Sequence, residues 1–486
     1  MENKIKYFDS SLFTNRQTIE RTFQGDSILR IREFSLCGGH RGCLFYFDGM
    51  VNVELVNETV LRPLMLADAI SQEADISDFV MDKILYSGEI KKTSLFDDAM
   101  TSIMYGDTLL LFEGNNKALL INTKGWRTRG ISEPKNERVL QGPREGFDEA
   151  AMFNVAMLRR RLQTTDFCAE FIRLGTRTNT LVFICYLKSL VNRDSLRKLR
   201  FRLGKIDIDS VLDSHYITEQ IRDNRHSFFE TVGSTERPDI VAARLLEGRI
   251  ALVVDSTPMV ITLPYLFSEN FQSDEDYYID RRLASAGRIL RILCFFIAVS
   301  LPALYIVLTT FHFDFLPTDF ALKVASSREG VPFSSLSEAF LIVFLFEILR
   351  ETGVRMSESV SGALSIVGGL VIGQAAVEAK IVSAPVLIVV AASGICGLAV
   401  PRLSTAVFYM RLIALAASGL FGLCGYLFFS LYNLLCALSL TSLGVDATLS
   451  LKKPDFQGLK DVFFRADWRR MFTRPQIQTN DTVRKK

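Results

Sequence analysis

The stretch RRLASAGRILRILCFFIAVSLPALYIVLTTF (281–311) divides the chain into two textures. Its first eleven residues carry four arginines, at 281, 282, 288 and 291, and its last twenty, 292–311, carry no charge. About 20 apolar residues are what a helix needs to cross the hydrocarbon core of a bilayer. Beyond it lie three further apolar stretches: 360–379, 384–400 and 405–443. The last reads as one tilted helix with an extended end, or as two short crossings. One helix is preferred, because its single charge, Arg411, lies near its start. SLSEAFLIVFLFEILRETG (335–353) is different. Its uncharged core, 339–346, is bounded by Glu338 and Glu347 on opposite sides of the helix and followed by Arg350 and Glu351. This pattern predicts a partly inserted or interfacial helix that couples to the soluble part, with a full span the lesser alternative.

Before residue 281 the chain alternates α and β signals. DTLLLFEGNNKALLINTKGW (107–126) and GRIALVVDSTPMVITLP (248–264) read as hairpins, TLVFICYL (180–187) as a buried strand and GFDEAAMFNVAMLRRRLQ (146–163) as a helix. Residues 55–104 carry helical patterns with few strand signals. NRDSLRKLRFRLGKI (192–206) is a basic amphipathic helix, read as a solvated face in preference to a phosphate or anionic-lipid contact. The acidic run at 274–276 reads as a solvated helix start. The fold class is therefore an N-terminal α/β domain of two subdomains, 1–143 and 144–280, then a transmembrane helical domain, 281–445, of about four spans plus the partly inserted helix, and a tail, 446–486. The tail after Leu443 holds ten Lys or Arg against five Asp, and the loop 312–334 only two basic residues against three acidic, so both ends are placed on the cytoplasmic side of a multi-pass protein.

Composition agrees with a chain part soluble and part embedded: 49% hydrophobic and 23% charged, with a mean hydropathy of +0.21. A net charge of +2 gives no basic footprint for nucleic acid. The polar start MENKIKYFDSSLF has no signal-peptide core, and eight scattered cysteines read as reduced core residues. CGGHRGC (37–43) lacks the second ligand pair of a zinc site and reads as a Gly-rich turn. No P-loop, GxSxG or HExxH occurs. The expectation is a non-enzyme with no cofactor and no metal.

Within 361–379, SGALSIVGGLVIGQAAVEA, Gly362, Ser365, Gly369, Gly373 and Ala376 recur every three or four residues and form a small-residue stripe suited to close helix packing or oligomer contact. About 100° away Val360, Leu364, Val367, Val371, Gln374 and Glu378 form a second face, apolar along most of its length and polar at one end. Such a face lines a pore, or it is buried within one subunit with Glu378 among headgroups. Spacing leaves both open.

The chain resembles the A subunits of spore germinant receptors, the GerA family. The resemblance rests on GPREGFDEAAMFNVAMLRRRL (142–162), GRIALVVDSTP (248–258), QSDEDYYIDR (272–281), LPALYIVLTTFH (301–312), GVPFSSLSEAFLIVFLFEILRETGVRM (330–356) and GALSIVGGLVIGQAAVEA (362–379), in this order. The family often has Gly at Ser256, Pro at Ser357 and Gly at Lys380; a lysine at 380 can weaken or pair with Glu378. The resemblance implies a homo-oligomer in the inner membrane of bacterial spores, working with a nutrient-binding, transporter-like B subunit and a lipoprotein C subunit as a nutrient-gated ion channel. It favours the Val360–Glu378 face as pore lining. The rival is a non-conducting scaffold that relays nutrient binding to a separate channel.

Overall fold

The structure, a computed structural model, describes residues 7–36, 39–67, 75–125, 134, 137, 139, 141–225, 227–355, 371, 373–448, 461–467, 469, 473–474 and 483–484. The soluble part contains two five-stranded antiparallel sheets. The first is built from β1 (Leu29–Ser35), β2 (Arg41–Phe47), β3 (Ile90–Thr93), β4 (Thr108–Phe112) and β5 (Ala118–Ile121), in the order β1-β2-β4-β5-β3. The second, from β6 (Phe167–Leu174), β7 (Thr180–Leu187), β8 (Gly233–Thr235), β9 (Ile250–Val254) and β10 (Val260–Leu263), has the order β6-β7-β9-β10-β8. The two orders are the same when each sheet is counted from its own first strand, so the soluble part is an internal duplication. The two expected hairpins are β4–β5, with Leu109 opposite Leu120, and β9–β10, with Leu252 opposite Ile261. β3 is an edge strand on β5 that the helical reading of 55–104 passed over.

The duplication extends to small motifs. Phe8-Asp9 begins α1 (Leu12–Thr22), where the Asn15 amide donates to the Asp9 carbonyl at 2.6 Å and the Asp9 N–H donates back at 2.9 Å. Phe147-Asp148 begins α6 (Ala151–Arg161), where Asn154 does the same to Asp148 at 2.6 and 2.8 Å. Asn52 caps α2 (Val53–Leu55), which runs on through a π-helical turn into α3 (Arg62–Leu66). Asn192 caps α7 (Arg193–Leu203) in the same way, and each side chain accepts two backbone N–H bonds. The remaining helices of this part are α4 (Ile76–Lys83), α5 (Phe96–Met104), α8 (Ser214–Ile221) and α9 (Pro238–Leu246).

Each central strand is buried on both faces, which explains its unbroken apolar run. Cys43, Phe45 and Phe47 of β2 and Ala251 and Val253 of β9 enter one shared core with α1, α5, α6 and α9. Alternate residues face outward, Leu44 toward α3 and α4, and Leu252 and Val254 toward α7 and α8. Against the shared core Asp26 and Arg159, whose side chains are both fully buried, form an ion pair between the two repeats, with the guanidinium 3.9 Å over the Phe47 ring.

The helical part comprises α10 (Arg281–Ile306, continued as a π-turn to Phe311), α11 (Thr318–Ser327), α12 (Ser335–Arg355), α13 (Gly373–Glu378), α14 (Ala384–Leu398) and α15 (Ser404–Leu438). By length and composition Arg281–Phe311 and Pro401–Leu438 are long and apolar enough to cross a membrane. The second is not one straight rod. Straight, its 35 residues would separate the ends by about 52 Å. Both ends instead attach to the same short segment. Arg402 binds Asp274 at 2.8 Å, while the Tyr265 N–H donates to Ser442 Oγ at 3.0 Å and the Phe267 N–H to the Ala447 carbonyl at 3.0 Å. The chain reverses at Gly422, whose φ of 60° and ψ of −140° are non-helical and which lies against Phe311. This corrects the single tilted helix expected over 405–443. Glycine is required here, because a Cβ would add strain at that φ and meet the Phe311 ring at 3.2 Å.

Candidate functional site: the helical bundle and its joint to the soluble part

The acidic run read as a solvated helix start is the centre of the joint. Asp274–Tyr277 forms a short 3-10 turn after Ser273, and Asp276 turns inward, fully buried. Two of the four arginines before the apolar run reach back to it from one helical face. Arg288 Nε lies 2.8 Å from one carboxylate oxygen, and Arg291 Nη2 lies 2.7 Å from the other. Arg288 also holds Asp461 of the C-terminal tail, at 2.9 Å to the carboxylate and 2.6 Å to the carbonyl. The Tyr277 hydroxyl donates to the same carboxylate at 2.7 Å, and burial pushes its pKa well above the usual tyrosine value. Buried charges are tolerated only when paired in this way. A second anchor is Asp223, which accepts from the Gly444 N–H and the Thr441 hydroxyl, both at 2.7 Å, and pairs with Arg202. Burial acts to raise its pKa, but these three donors hold it below the ordinary carboxylate value. The start of α10, the start of α15, the exit of α15 and the tail therefore all meet the second repeat.

The bundle is apolar outside as well as inside: Leu293, Phe296, Ile388, Ile395, Leu420 and Phe428 are all large and exposed. α12 packs lengthwise in it. Leu336 sits against Gly419 near the reversal, and Phe346 against Gly394 of α14. Its charged residues are separated accordingly. Glu338, fully buried, accepts from the Ser383 N–H at 2.8 Å and hydroxyl at 2.7 Å, with Arg328 3.6 Å away. Nine residues on, Glu347 is paired with Arg350 and faces Arg411 of α15 at 3.9 Å. Arg411 also donates to Ser393 Oγ at 3.3 Å, and Ser393 in turn to the Ala298 carbonyl at 2.8 Å. Glu351 is turned outward and pairs with Arg355 at 2.6 Å. The structure brings Glu347 and Arg350 together, leaves Glu338 at the far end and sends Glu351 to the surface. Arg411, Ser393, Arg328 and Asp461 are members that sequence reasoning missed. A lone arginine in a long apolar run, which needs a partner, was the available signal for Arg411.

Of the two faces expected on 360–379, Val360, Leu364, Val367, Gly362, Ser365 and Gly369 lie outside the described residues. Of the rest, Gly373 is buried beside Leu387 and Ala376 is half-buried, while Val371, Gln374 and Glu378 are exposed. Lys380 does not pair with Glu378. Its ammonium donates to the Glu329 carbonyl at 3.1 Å and packs on Gly330. Of CGGHRGC, Cys43 is buried in β2.

The architecture is a duplicated α/β module wired by buried ion pairs into an apolar helical bundle. Residues 17–477 match the model of the Bacillus/Clostridium GerA spore germination protein family, and the chain belongs to that family. It is 38% identical to spore germination protein KA of Bacillus subtilis (strain 168), over 91% of this chain and 81% of that protein. It is 35% identical to the uncharacterized membrane protein YfkQ of the same strain, over 98% of this chain and 92% of YfkQ. It is 31% identical to GerLA of Bacillus cereus, over 99% of both chains. Among solved structures, the N-terminal domain of the A subunit of the Bacillus megaterium spore germinant receptor GerK3 is 30% identical. That likeness covers 55% of this chain and 99% of that one, with a TM-score of 0.43.

Proposed function

We propose that this chain is the A subunit of a nutrient germinant receptor and forms, as a homo-oligomer in the inner membrane of bacterial spores, an ion channel gated by nutrient binding. Its partners are a nutrient-binding, transporter-like B subunit and a lipoprotein C subunit. The α/β repeats, divided near Pro143, and the tail after residue 445 lie on the cytoplasmic side. The observation that carries the channel reading is the exposure at α13: Gly373 faces the bundle, while Gln374 and Glu378 of α13, and Val371 before it, are uncovered in the single chain and are available to surround an axis. In the four-span expectation, 335–353 lay in the interface and 405–443 crossed once. We replace it with six traversals: α10, α12, the apolar stretch 360–379 expected from its sequence to span, α14, and the two arms of α15 on either side of Gly422. An even number keeps both ends on the basic, cytoplasmic side.

Purified chain in liposomes tests the reading. A channel subunit, alone or with its B and C partners and nutrient, conducts ions. A scaffold that relays to a separate channel gives no flux above that of empty liposomes.

A further inference from the structure

The basic helix α7 acquires a position that its sequence did not reveal. Residues 193–205 hold six basic side chains (Arg193, Arg197, Lys198, Arg200, Arg202 and Lys205) against one acidic, Asp194. Its apolar face, Leu196, Leu199 and Leu203, packs in the outer core of the second sheet together with Leu443, which lies just beyond the last turn of α15. Arg202 donates to the Ile221 carbonyl at 2.6 Å and pairs with Asp223, the residue that holds Thr441 and Gly444. The Lys198 ammonium lies so close to Gly444 that a Cβ there would stand 2.5 Å from it. Nearby, the loop after α8 places Phe228 on Tyr409 of α15, rings stacked with centroids 5.7 Å apart. The side of the second repeat that carries α7 therefore abuts the bundle where α15 begins and ends.

In a membrane, that level is the headgroup layer. What α7 presents there is basic and aromatic. Arg197, Lys198 and Lys205 are exposed, Phe201 is 63% exposed, and the Lys205 ammonium lies 4.3 Å over the Phe201 ring. Clustered Lys and Arg beside a membrane helix attract anionic lipid, and an aromatic ring suits the boundary between headgroup and acyl chain. We propose that the exposed face of α7 is a binding surface for anionic phospholipid headgroups of the adjacent leaflet, and that it docks the second repeat to the membrane. The inference rests on the membrane reading of the bundle.

The test is a titration of the full chain, purified in neutral detergent, with phosphatidylglycerol or phosphatidylcholine, followed by its thermal unfolding midpoint. Phosphatidylglycerol raises the midpoint more than phosphatidylcholine, and the excess shrinks as salt is added. The variant R197Q/K198Q/K205Q keeps the midpoint in phosphatidylcholine and needs at least ~10-fold more phosphatidylglycerol for the same gain. Identical phosphatidylglycerol curves for both proteins overturn the proposal, as does an equal gain from inorganic phosphate. Should the variant fold poorly, backbone amide exchange of α7 in the unsubstituted chain decides. It is slower in nanodiscs containing phosphatidylglycerol than in those of phosphatidylcholine alone, and equal exchange overturns the proposal. Insertion into phosphatidylcholine alone separately tests whether the bundle is a membrane domain.

Discussion

Glu347 of α12 and Arg411 of α15 face each other inside the helical bundle, Oε2 to Nη2 at 3.9 Å, with Arg411 only 3% exposed. Arg350 shares the same carboxylate. The cluster thus carries two guanidiniums and one carboxylate, and its members are not equivalent. Replacing Glu347 by Gln leaves two cations with no counter-charge, and breaking a buried pair in this way costs about 3–5 kcal/mol. Replacing Arg411 by Met leaves the Glu347–Arg350 pair neutral and intact and removes one donor from Ser393, so the loss should be smaller, about 1–3 kcal/mol. Thermal unfolding in detergent should rank the variants in that order, and a larger loss for Arg411→Met would contradict the arrangement.

Gly422 allows the reversal of α15. A side chain there is strained at φ 60° and meets Phe311. Gly422→Val should cost on the order of 1–3 kcal/mol or more, read as lower yield and a lower unfolding midpoint. The same change at exposed Leu420, which lies in helix, should be mild. Equal tolerance at both sites would argue for a straight helix.

The joint at Asp276 offers a graded comparison. Asp276 is fully buried between Arg288 and Arg291, whereas the Asp461 side chain is 33% exposed and supports Arg288 from the tail. Asp276→Asn should destabilise by about 3–5 kcal/mol. Asp461→Asn should lose roughly 1 kcal/mol, because it keeps its carbonyl bond to Arg288. Unfolding midpoints check both.

Acid should loosen the exit of α15. The folded Asp223 carboxyl titrates below its unfolded value, so its contribution is fully present above the ordinary carboxylate value near pH 4 and is lost as pH falls through the lowered folded value. Midpoints of the unsubstituted chain and of Asp223→Asn should therefore converge as pH drops below about 4. A difference that stays constant as pH falls well below 4 would remove Asp223 from the account.

Much of the soluble fold was legible because its central strands are buried on both faces and read as apolar runs, LLLF in β4 and ALVV in β9. β3, IKKT, was not: four residues on an edge, two of them lysines, leave no apolar pattern. The duplication was hidden because the repeats share capping and turn residues, the Phe-Asp…Asn pair at 8–15 and 147–154, and not core side chains. In the bundle, a reversal within apolar surroundings needs no polar loop, so the only trace of the turn was the glycines at 419, 422 and 425. Asp276 was misread because a burial partner fifteen residues on, and another in the tail, cannot be seen in a local acidic run. The partner of Lys380 was not readable, since Glu329 lies across a loop.

The central claim is that the face carrying Val371, Gln374 and Glu378 surrounds an ion path. The most direct measurement is ion flux through the receptor in liposomes with Gln374→Cys in the A subunit, before and after treatment with a positively charged thiol reagent, the unsubstituted receptor serving as control. The account predicts that modification at 374 blocks flux while the control is unaffected. Complete labelling of Cys at 374 with unchanged flux would contradict it.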